Sequence, residues 1–140
     1  MAIEINIFDE GDFGIIPEIE TNQIVKSILT DYKIADAIIN LIYVDDEEIH
    51  RVNLEYLKHD YPTDVITFVL EDDSTEVDIF IGVETAIQNS IEFGVTKESE
   101  LLRLVAHGVL HAVGMDDQTD EERLSMHNME NKYLGIINEK

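Results

Sequence analysis

The chain has 140 residues, 44% of them hydrophobic, and its 31 acidic and 9 basic residues give a formal net charge of −22. This length and apolar content indicate one domain with a genuine core and exclude a disordered acidic tail. Cysteine is absent, which excludes disulfides, thiolate catalysis and zinc–sulfur sites, and no apolar run approaches the roughly 18 residues of a membrane span.

The first half of the chain alternates between strand and helix patterns. Residues 3–8 alternate apolar and polar side chains, as a half-buried strand does. Pro17 suits the first turn of a helix. Apolar residues then follow at roughly helical spacing: Ile19, Ile24, Ile28 and Leu29. Residues 37–44 form a mostly apolar strand, and Asp45 and Asp46 are N-caps for a short helix. The apolar residues of that helix are Ile49, Val52 and Leu57.

The second half begins with two strands and ends with three helices. Residues 64–70 and 77–83 are rich in β-branched and aromatic side chains, and the acidic segment 71–76 between them predicts a turn joining an antiparallel pair. A helix over 84–93 should end at Gly94. The next helix should run over 97–113 and end at Gly114.

A capping box at Thr119 and Glu122 begins the last helix, which is predicted to run through Leu134. The resulting order of elements is βαβαββααα. It predicts one mixed α/β (α+β) layer domain over residues 1–140, with a mixed four-stranded sheet and about five helices.

His107 and His111 lie four residues apart in the helix over 97–113, so their side chains are only about 40° apart on one face. Two imidazoles in this frame can share a metal ion. Gly114 permits a left-handed turn that would bring Asp117 back over the same face. Two histidines and one carboxylate leave the fourth position of a tetrahedral zinc ion open to water, as in catalytic zinc sites.

Gly108 lies between the two histidines and helps to distinguish this metal site from two alternatives, a helix that binds no metal and a metalloprotease. A bare H-x-x-x-H pattern is common on helices without any metal. Glycine inside a helix costs about 1 kcal/mol relative to alanine, which indicates a close backbone approach here. Metalloproteases place a glutamate, their general base, at this position. The sequence therefore predicts a zincin-like metal-site helix without the base used for peptide cleavage.

A second polar stretch spans residues 53–68. Pro62 and Thr63 interrupt the chain, and Asp64 opens a strand where its side chain can stand at the sheet edge. Lys58 and His59 add local positive character. The alternative is a solvated turn. His59 and Asp64 are the candidates for a catalytic base.

Together the two stretches resemble the YbeY family of bacterial endoribonucleases and ribosomal-RNA maturation factors. The family signature H-G-x-L-H-x-x-G-Y-D-H is matched at His107, Gly108, Leu110, His111, Gly114 and Asp116. The upstream motif N-x-x-Y-R-x-x-D-x-P-T-D-V-L-S-F is matched at Asn53, Tyr56, Asp60, Pro62, Thr63, Asp64, Val65 and Phe68. The strand motif G-D-I is matched at Asp78 and Ile79, with Val77 in place of the glycine.

Three departures from the family pattern bear on the function. Asp117 stands where the family has its third metal-ligand histidine, which predicts a His–His–Asp site. Met115 replaces the signature tyrosine, and Leu57 replaces the arginine of the upstream motif. Aspartate is an accepted zinc ligand, so the metal site survives with a different charge.

The resemblance implies a metal-dependent, single-strand-specific endoribonuclease in small-subunit ribosomal RNA 3′-end maturation and ribosome quality control. It implies one zinc ion per chain, held by His107, His111 and Asp117. The expected partners are ribosomal RNA and the ribosome or a basic ribosomal protein, which the negative charge would suit. The N-terminus lacks a signal peptide pattern, so we expect a cytoplasmic protein without membrane association.

Three other functions compete with this interpretation. A metallopeptidase shares the scaffold, although Gly108 argues against it. A two-histidine, one-carboxylate set also suits ferrous iron in oxygenases, although the helical spacing argues against that. A non-catalytic ribosome-assembly factor with a structural zinc ion would need a fourth ligand, such as His127 or Asp116.

Overall fold

The computed structural model describes residues 2–61, 63–69 and 76–138. Nine elements follow the predicted order. They are β1 (Ile3–Asp9), α1 (Glu18–Asp31), β2 (Ala37–Val44), α2 (Asp46–Leu57), β3 (Val65–Val69), β4 (Glu76–Gly82), α3 (Val83–Phe93), α4 (Lys97–Ala112) and α5 (Asp120–Asn138). Pro62, Leu70 and the predicted turn over 71–75 lie outside the described residues, while Glu76 begins β4.

The four strands form one mixed sheet in the order β1-β2-β4-β3. β2 pairs in parallel with β1 and with β4, and β4 pairs antiparallel with β3. The predicted mixed four-stranded sheet and the antiparallel pair are therefore confirmed. β3 lies at an edge of the sheet, so the polar segment that precedes it is exposed beside that edge.

The main core lies between one face of the sheet and helices α1, α4 and α5. Ile39, Leu41, Ile79 and Ile81 from the two central strands are at most 1% exposed and belong to the same apolar cluster as Leu101 of α4. Helix α2 covers part of the other face, where its Ile49 and Val52 cluster with Val44 of β2 and Ile66 of β3. Helix α4 is thus fixed against the sheet, and its last turns are held in place next to β3.

Local capping signals account for several element boundaries. The Asp45 side chain accepts a hydrogen bond from the Glu48 backbone, and Thr119 and Glu122 form the predicted reciprocal capping box. Gly94 ends α3 in the left-handed conformation with φ of 68°. Helix α1 begins at Glu18, one residue after Pro17, and α5 extends beyond the predicted end at Leu134.

Membrane insertion through a helix has no support in the described parts of the chain. None of the helices within 2–61, 63–69 and 76–138 combines the length and the apolar character needed to cross a bilayer.

Candidate metal centre

His107 and His111 occupy the last two turns of α4 and point to the same side, as their spacing predicts. Their ring centroids are 4.7 Å apart and the ring planes meet at 73°. Both side chains are partly exposed, 21% for His107 and 29% for His111. The two imidazoles are therefore held by the helix yet open to a ligand.

The chain reverses after α4 through a left-handed turn. Gly114 has φ of +111°, a conformation that glycine adopts without strain, and the Met115 backbone donates to the Leu110 carbonyl. The next residues bring Asp117 over the histidine face. Its Oδ2 lies 3.4 Å from His107 Nε2 and its Oδ1 lies 3.3 Å from His111 Nε2.

The two distances from Asp117 to the histidines match the ligand spacing of a tetrahedral metal ion. Bonds of about 2.0 Å to 2.1 Å from zinc to nitrogen or oxygen place neighbouring ligand atoms about 3.3 Å apart. His107, His111 and Asp117 each offer one ligand atom, all within 4.8 Å of one another. The group can hold a metal ion, and two nitrogen donors with one carboxylate oxygen are a donor set that zinc accepts.

Glu130 of α5 orients His107 from behind. Its Oε2 accepts a hydrogen bond of 2.7 Å from His107 Nδ1, which leaves Nε2 free to face Asp117 and a metal. Arg103 donates to the other carboxylate oxygen of Glu130 at 3.0 Å. Glu130 is also only 6% exposed. Its burial and its ion pair with Arg103 together hold the carboxylate in one orientation.

The electrostatics of His107 reflect this arrangement. Burial lowers the pKa of His107, but the hydrogen bond and charge of Glu130, aided by Asp117 and Asp64, outweigh burial and raise it above its ordinary value. The carboxylates around His107 therefore make its surroundings electronegative, which favours positive charge here, whether a proton or a metal ion.

Gly108 allows α4 to approach the sheet closely at the metal centre. A Cβ atom there would lie 2.8 Å from Ile79 Cγ2 and 3.2 Å from Thr67 Oγ1. The Thr67 hydroxyl also lies within hydrogen-bonding distance of the Gly108 carbonyl, at 3.4 Å. The close backbone approach expected from the sequence is present, and it is an approach to β3 and β4.

The histidines and Asp117 form one wall of a cleft of about 450 Å³. The cleft is lined by Asn53, Leu57, His59, Tyr61, Thr63, Asp64, Val65, Ile66, Thr67, Val69, His107, His111 and Asp117. Its opposite wall comes from the end of α2 and the segment before β3. The two sequence motifs, residues 53–68 and 107–117, therefore contribute to one cavity although they are far apart in the sequence.

The candidate bases His59 and Asp64 both lie in this cleft. Asp64 Oδ2 accepts a hydrogen bond of 3.3 Å from the Asn89 side chain, and its backbone carbonyl accepts from Gly82 at 2.8 Å. His59 is exposed and stacks on the ring of Tyr61. Both residues therefore line the same cleft as the metal group, which consists of His107, His111 and Asp117. Neither of them is a member of that group.

The two residues considered as a fourth ligand lie outside the group of three. Asp116 Oδ1 accepts from the Asp117 backbone at 2.9 Å and so supports the turn. His127 Nδ1 lies 4.0 Å from a Glu130 oxygen and 3.4 Å from Arg103. Within the described residues the metal group has three members, which is the number of protein ligands in an open, catalytic zinc site.

The lining of the cleft contains little positive charge. None of the described residues that line it is a lysine or an arginine. Arg51 of α2 is tied to Glu48 at 2.7 Å and to Glu55 at 2.5 Å, and the Lys58 ammonium lies 3.4 Å from the Glu55 carbonyl. Leu57, at the position where the family carries its arginine, faces the cleft with an apolar side chain.

Sequence reasoning missed Glu130, Arg103 and Tyr61. Glu130 reaches the site from α5 and Arg103 reaches it from α4. Both do so through tertiary packing, so no local pattern marks them. The sequence offered one signal for Glu130, since a metal-binding histidine nearly always donates its second nitrogen to a carboxylate or carbonyl.

Comparison with known proteins gives a consistent result. The family model described as Endoribonuclease YbeY matches residues 12–138. The chain is 38% identical over 137 residues to an Endoribonuclease YbeY of Christiangramia forsetii, covering 96% of this chain and 94% of that protein. It is 34% identical over 123 residues to the one of Chloroherpeton thalassium, covering 87% of each.

A solved structure supports the same relationship. The solution structure of a Thermotoga maritima protein superimposes on this chain with a TM-score of 0.68. The two sequences are 32% identical, and the match covers 93% of this chain and 86% of that one. The mixed sheet and five helices described above are therefore shared with a protein known from experiment.

Proposed function

The chain belongs to the YbeY endoribonuclease family, and we propose on this basis that it is a metal-dependent endoribonuclease that cuts single-stranded RNA in ribosomal RNA processing. We extend this to 3′-end maturation of the small-subunit RNA and to ribosome quality control. In this proposal residues 1–140 act as one hydrolase domain.

One observation carries the proposal. Three potential ligands, two imidazoles and one carboxylate, meet at the wall of an open cleft that is large enough for part of a nucleotide. Their spacing fits a tetrahedral ion with one position left for water or substrate. We therefore propose one zinc ion per chain, held by His107, His111 and Asp117.

A metal ion held by His107, His111 and Asp117 would supply Lewis acidity toward a phosphoryl oxygen and would lower the pKa of a water molecule bound to it. The chain's own groups position these parts. Glu130 keeps the proton of His107 on Nδ1, so that Nε2 remains a donor atom for the metal.

We propose His59 and Asp64 as the groups that handle protons on the opposite wall. Asp64 is a carboxylate whose orientation is fixed by Asn89, as a base in a defined position requires. His59 is an exposed residue of the cleft lining, and imidazole is the side chain most often used in general acid–base catalysis.

The proposed partners are ribosomal RNA and the ribosome. A net charge of −22 opposes tight binding of free RNA by the protein as a whole. The same charge favours contact with a basic ribosomal protein, so we propose that the ribosome delivers the RNA to the cleft.

The competing functions have less support. A peptidase of this scaffold needs a base at the position of Gly108, where even a Cβ atom would lie 2.8 Å from Ile79 Cγ2. An assembly factor with a closed structural zinc site needs a fourth ligand, and the described metal group has three members.

The test compares two substrates under matched metal and pH. The purified protein is incubated with ribosomal RNA and with casein, each with and without a chelator. We expect chelator-sensitive cleavage of single-stranded regions of the RNA and none of casein. His107→Ala should abolish cleavage, whereas His127→Ala, which removes an exposed histidine outside the metal group, should retain it.

Two results would contradict the proposal. Chelator-sensitive hydrolysis of casein without RNA cleavage would indicate a peptidase. A metal-loaded protein that cleaves neither substrate, yet restores ribosome assembly in a depleted extract, would indicate a non-catalytic assembly factor.

A further inference from the structure

The cleft that holds the metal group also contains a pair of stacked aromatic rings. His59 and Tyr61 have ring centroids 5.4 Å apart and ring planes only 8° from parallel. Both residues line the cleft, and Tyr61 is 52% exposed. A large aromatic side chain that is half open to solvent beside a metal group has no structural role in the core.

The backbone under this pair is firmly held. The buried Asn53 side chain donates to the Tyr61 carbonyl at 2.9 Å, and the His59 backbone donates to the Asn53 carbonyl at 3.2 Å. Asp60, which lies between the two residues in the sequence, has its Oδ1 atom 2.8 Å from His50 Nε2. Lys58 begins the segment in the left-handed conformation, with φ of 62°. The two rings are therefore presented in a fixed orientation.

Cationic side chains cannot be the main attraction for RNA on this side of the cleft. None of its described lining residues is a lysine or an arginine, and nearby Arg51 is engaged by Glu48 and Glu55. Binding of single strands has a second general source, because every nucleobase can stack its flat face on an aromatic side chain. The stacked pair supplies such a surface where cations are lacking.

We propose that the His59–Tyr61 pair is a nucleobase subsite, which stacks one unpaired base of the RNA on the exposed ring of Tyr61 beside the metal centre. The inference rests on the proposed function, since it names how the same cleft holds its RNA. A paired base is already stacked within its helix and does not offer its face, so the subsite also selects for single-stranded RNA.

The experiment separates stacking from phosphate binding. Two fluorescent probes of equal length are used, an oligoadenylate and a chain of the same sugar–phosphate backbone without bases. Dissociation constants for the metal-loaded full chain are measured by fluorescence anisotropy in stopped flow, before cleavage accumulates. The ratio of the two constants reports the contribution of the bases alone.

We expect wild type to bind oligoadenylate roughly tenfold more tightly than the baseless chain, in line with stacking of one base. Tyr61→Ala should remove most of this preference, and Tyr61→Phe should keep it because the ring is retained. Tyr32→Ala is the matched control, since Tyr32 is an exposed tyrosine outside the cleft lining. The preference should persist when salt is raised, because stacking releases no counterions.

Tyrosine fluorescence gives a second readout, because the chain has five tyrosines and no tryptophan. Oligoadenylate should quench part of the emission of wild type. Tyr61→Phe should lose that part while still binding, and a Tyr32→Phe control should not.

Two results with the Tyr61 variants would overturn the inference: a base preference in Tyr61→Ala equal to wild type, or one lost equally in Tyr61→Phe. Cleavage of RNA by a protein with no such preference would overturn the subsite and leave the proposed function standing. A preference that depends on Tyr61 in a protein without RNA cleavage would support the subsite and contradict the proposed function.

Discussion

Glu130 and His107 lie on different helices, and Glu130 Oε2 is 2.7 Å from His107 Nδ1 while Nε2 of the same ring faces Asp117 at 3.4 Å. The two nitrogens of His107 thus have separate partners. One is fixed by a buried carboxylate, and the other is directed at the position where a metal would bind.

The first prediction concerns this carboxylate. Glu130→Gln keeps an oxygen that can accept the proton of Nδ1 but removes the charge that makes the imidazole a better ligand. We expect metal affinity to fall roughly tenfold or more, the range known for changes behind a metal-binding histidine. Metal titration with a competing chelator measures the change. Glu121→Gln, an exposed residue on the same helix, is the control and should retain wild-type affinity.

The second prediction distinguishes two neighbouring aspartates. Asp117→Ala should lose most metal affinity, because Asp117 lies within 3.4 Å of both histidines. Asp116→Ala should retain most of the metal, because Asp116 supports the turn by accepting from the Asp117 backbone. Elemental analysis of both purified variants is the measurement. The reverse order of metal contents would show that the ligand assignment is wrong.

A change at the same position tests the charge of the site. Asp117→His should keep the metal and raise the net charge of a zinc centre from about +1 to about +2. The bound water should then be more acidic, so the rising limb of the pH–activity profile should move to lower pH. A profile that stays in place would argue against a metal-bound water as the group that titrates.

The third prediction concerns packing at Gly108. Gly108→Ala places a methyl group 2.8 Å from Ile79 Cγ2 and close to Thr67, so α4 must move away from the sheet. We expect the free energy of unfolding to fall by about 1–3 kcal/mol, the usual effect of overpacking. Gly135→Ala in α5 meets no atom within 4 Å and should instead stabilise the protein by up to about 1 kcal/mol. Urea denaturation compares the two.

Local chemistry explains why much of the fold could be predicted. The capping residues Asp45, Thr119 and Glu122 act on backbone groups within three positions, and Gly94 and Gly114 end helices through their own conformation. The His107–His111 frame is also local. The sequence pattern therefore contains the information needed for these features.

Other parts of the site depend on tertiary packing. Glu130 is 23 positions from His107 and is one of 31 acidic residues, so nothing local marks it as the partner of a histidine. The stacking of His59 on Tyr61 depends on the hold of Asn53 on the intervening segment. The two motifs meet in one cleft because β3 lies beside α4. The order in which the strands pair in the sheet determines this position of β3.

The fourth prediction uses a buried acid in α4. Glu100 is 3% exposed and its Oε1 has no hydrogen-bond partner, and burial raises its pKa from 4.5 to about 7. This value already includes the charges of nearby Asp64 and Glu130, which add to the rise, and the effects of Arg103 and Asn89, which oppose it. The native state therefore favours the protonated form of Glu100 more than the unfolded state does.

The sign of the effect on stability follows from these two pKa values. Well below pH 4.5 Glu100 is protonated in both states, and well above pH 7 it is ionised in both, at a cost to the native state of up to roughly 3 kcal/mol. Glu100→Gln is neutral at every pH. It should match wild type in urea denaturation at pH 4 and be more stable at pH 8, whereas the exposed Glu98→Gln should differ little at both. Equal stabilities of Glu100→Gln and wild type at pH 8 would contradict the prediction.

The fifth prediction restores a positive charge to the cleft. Leu57 is 40% exposed and lines the cleft at the position of the family's upstream arginine. Leu57→Arg should tighten RNA binding, and it should steepen the plot of log Kd against log salt by about 0.7, the contribution of one phosphate contact on a single strand. Leu54→Arg is the matched control, because Leu54 is 46% exposed on the same helix but is not among the cleft-lining residues. An equal salt dependence in the two variants would show that position 57 does not reach the RNA backbone. A steeper dependence only in Leu57→Arg, with the preference for bases unchanged, would show that this cleft binds phosphates and bases through separate groups.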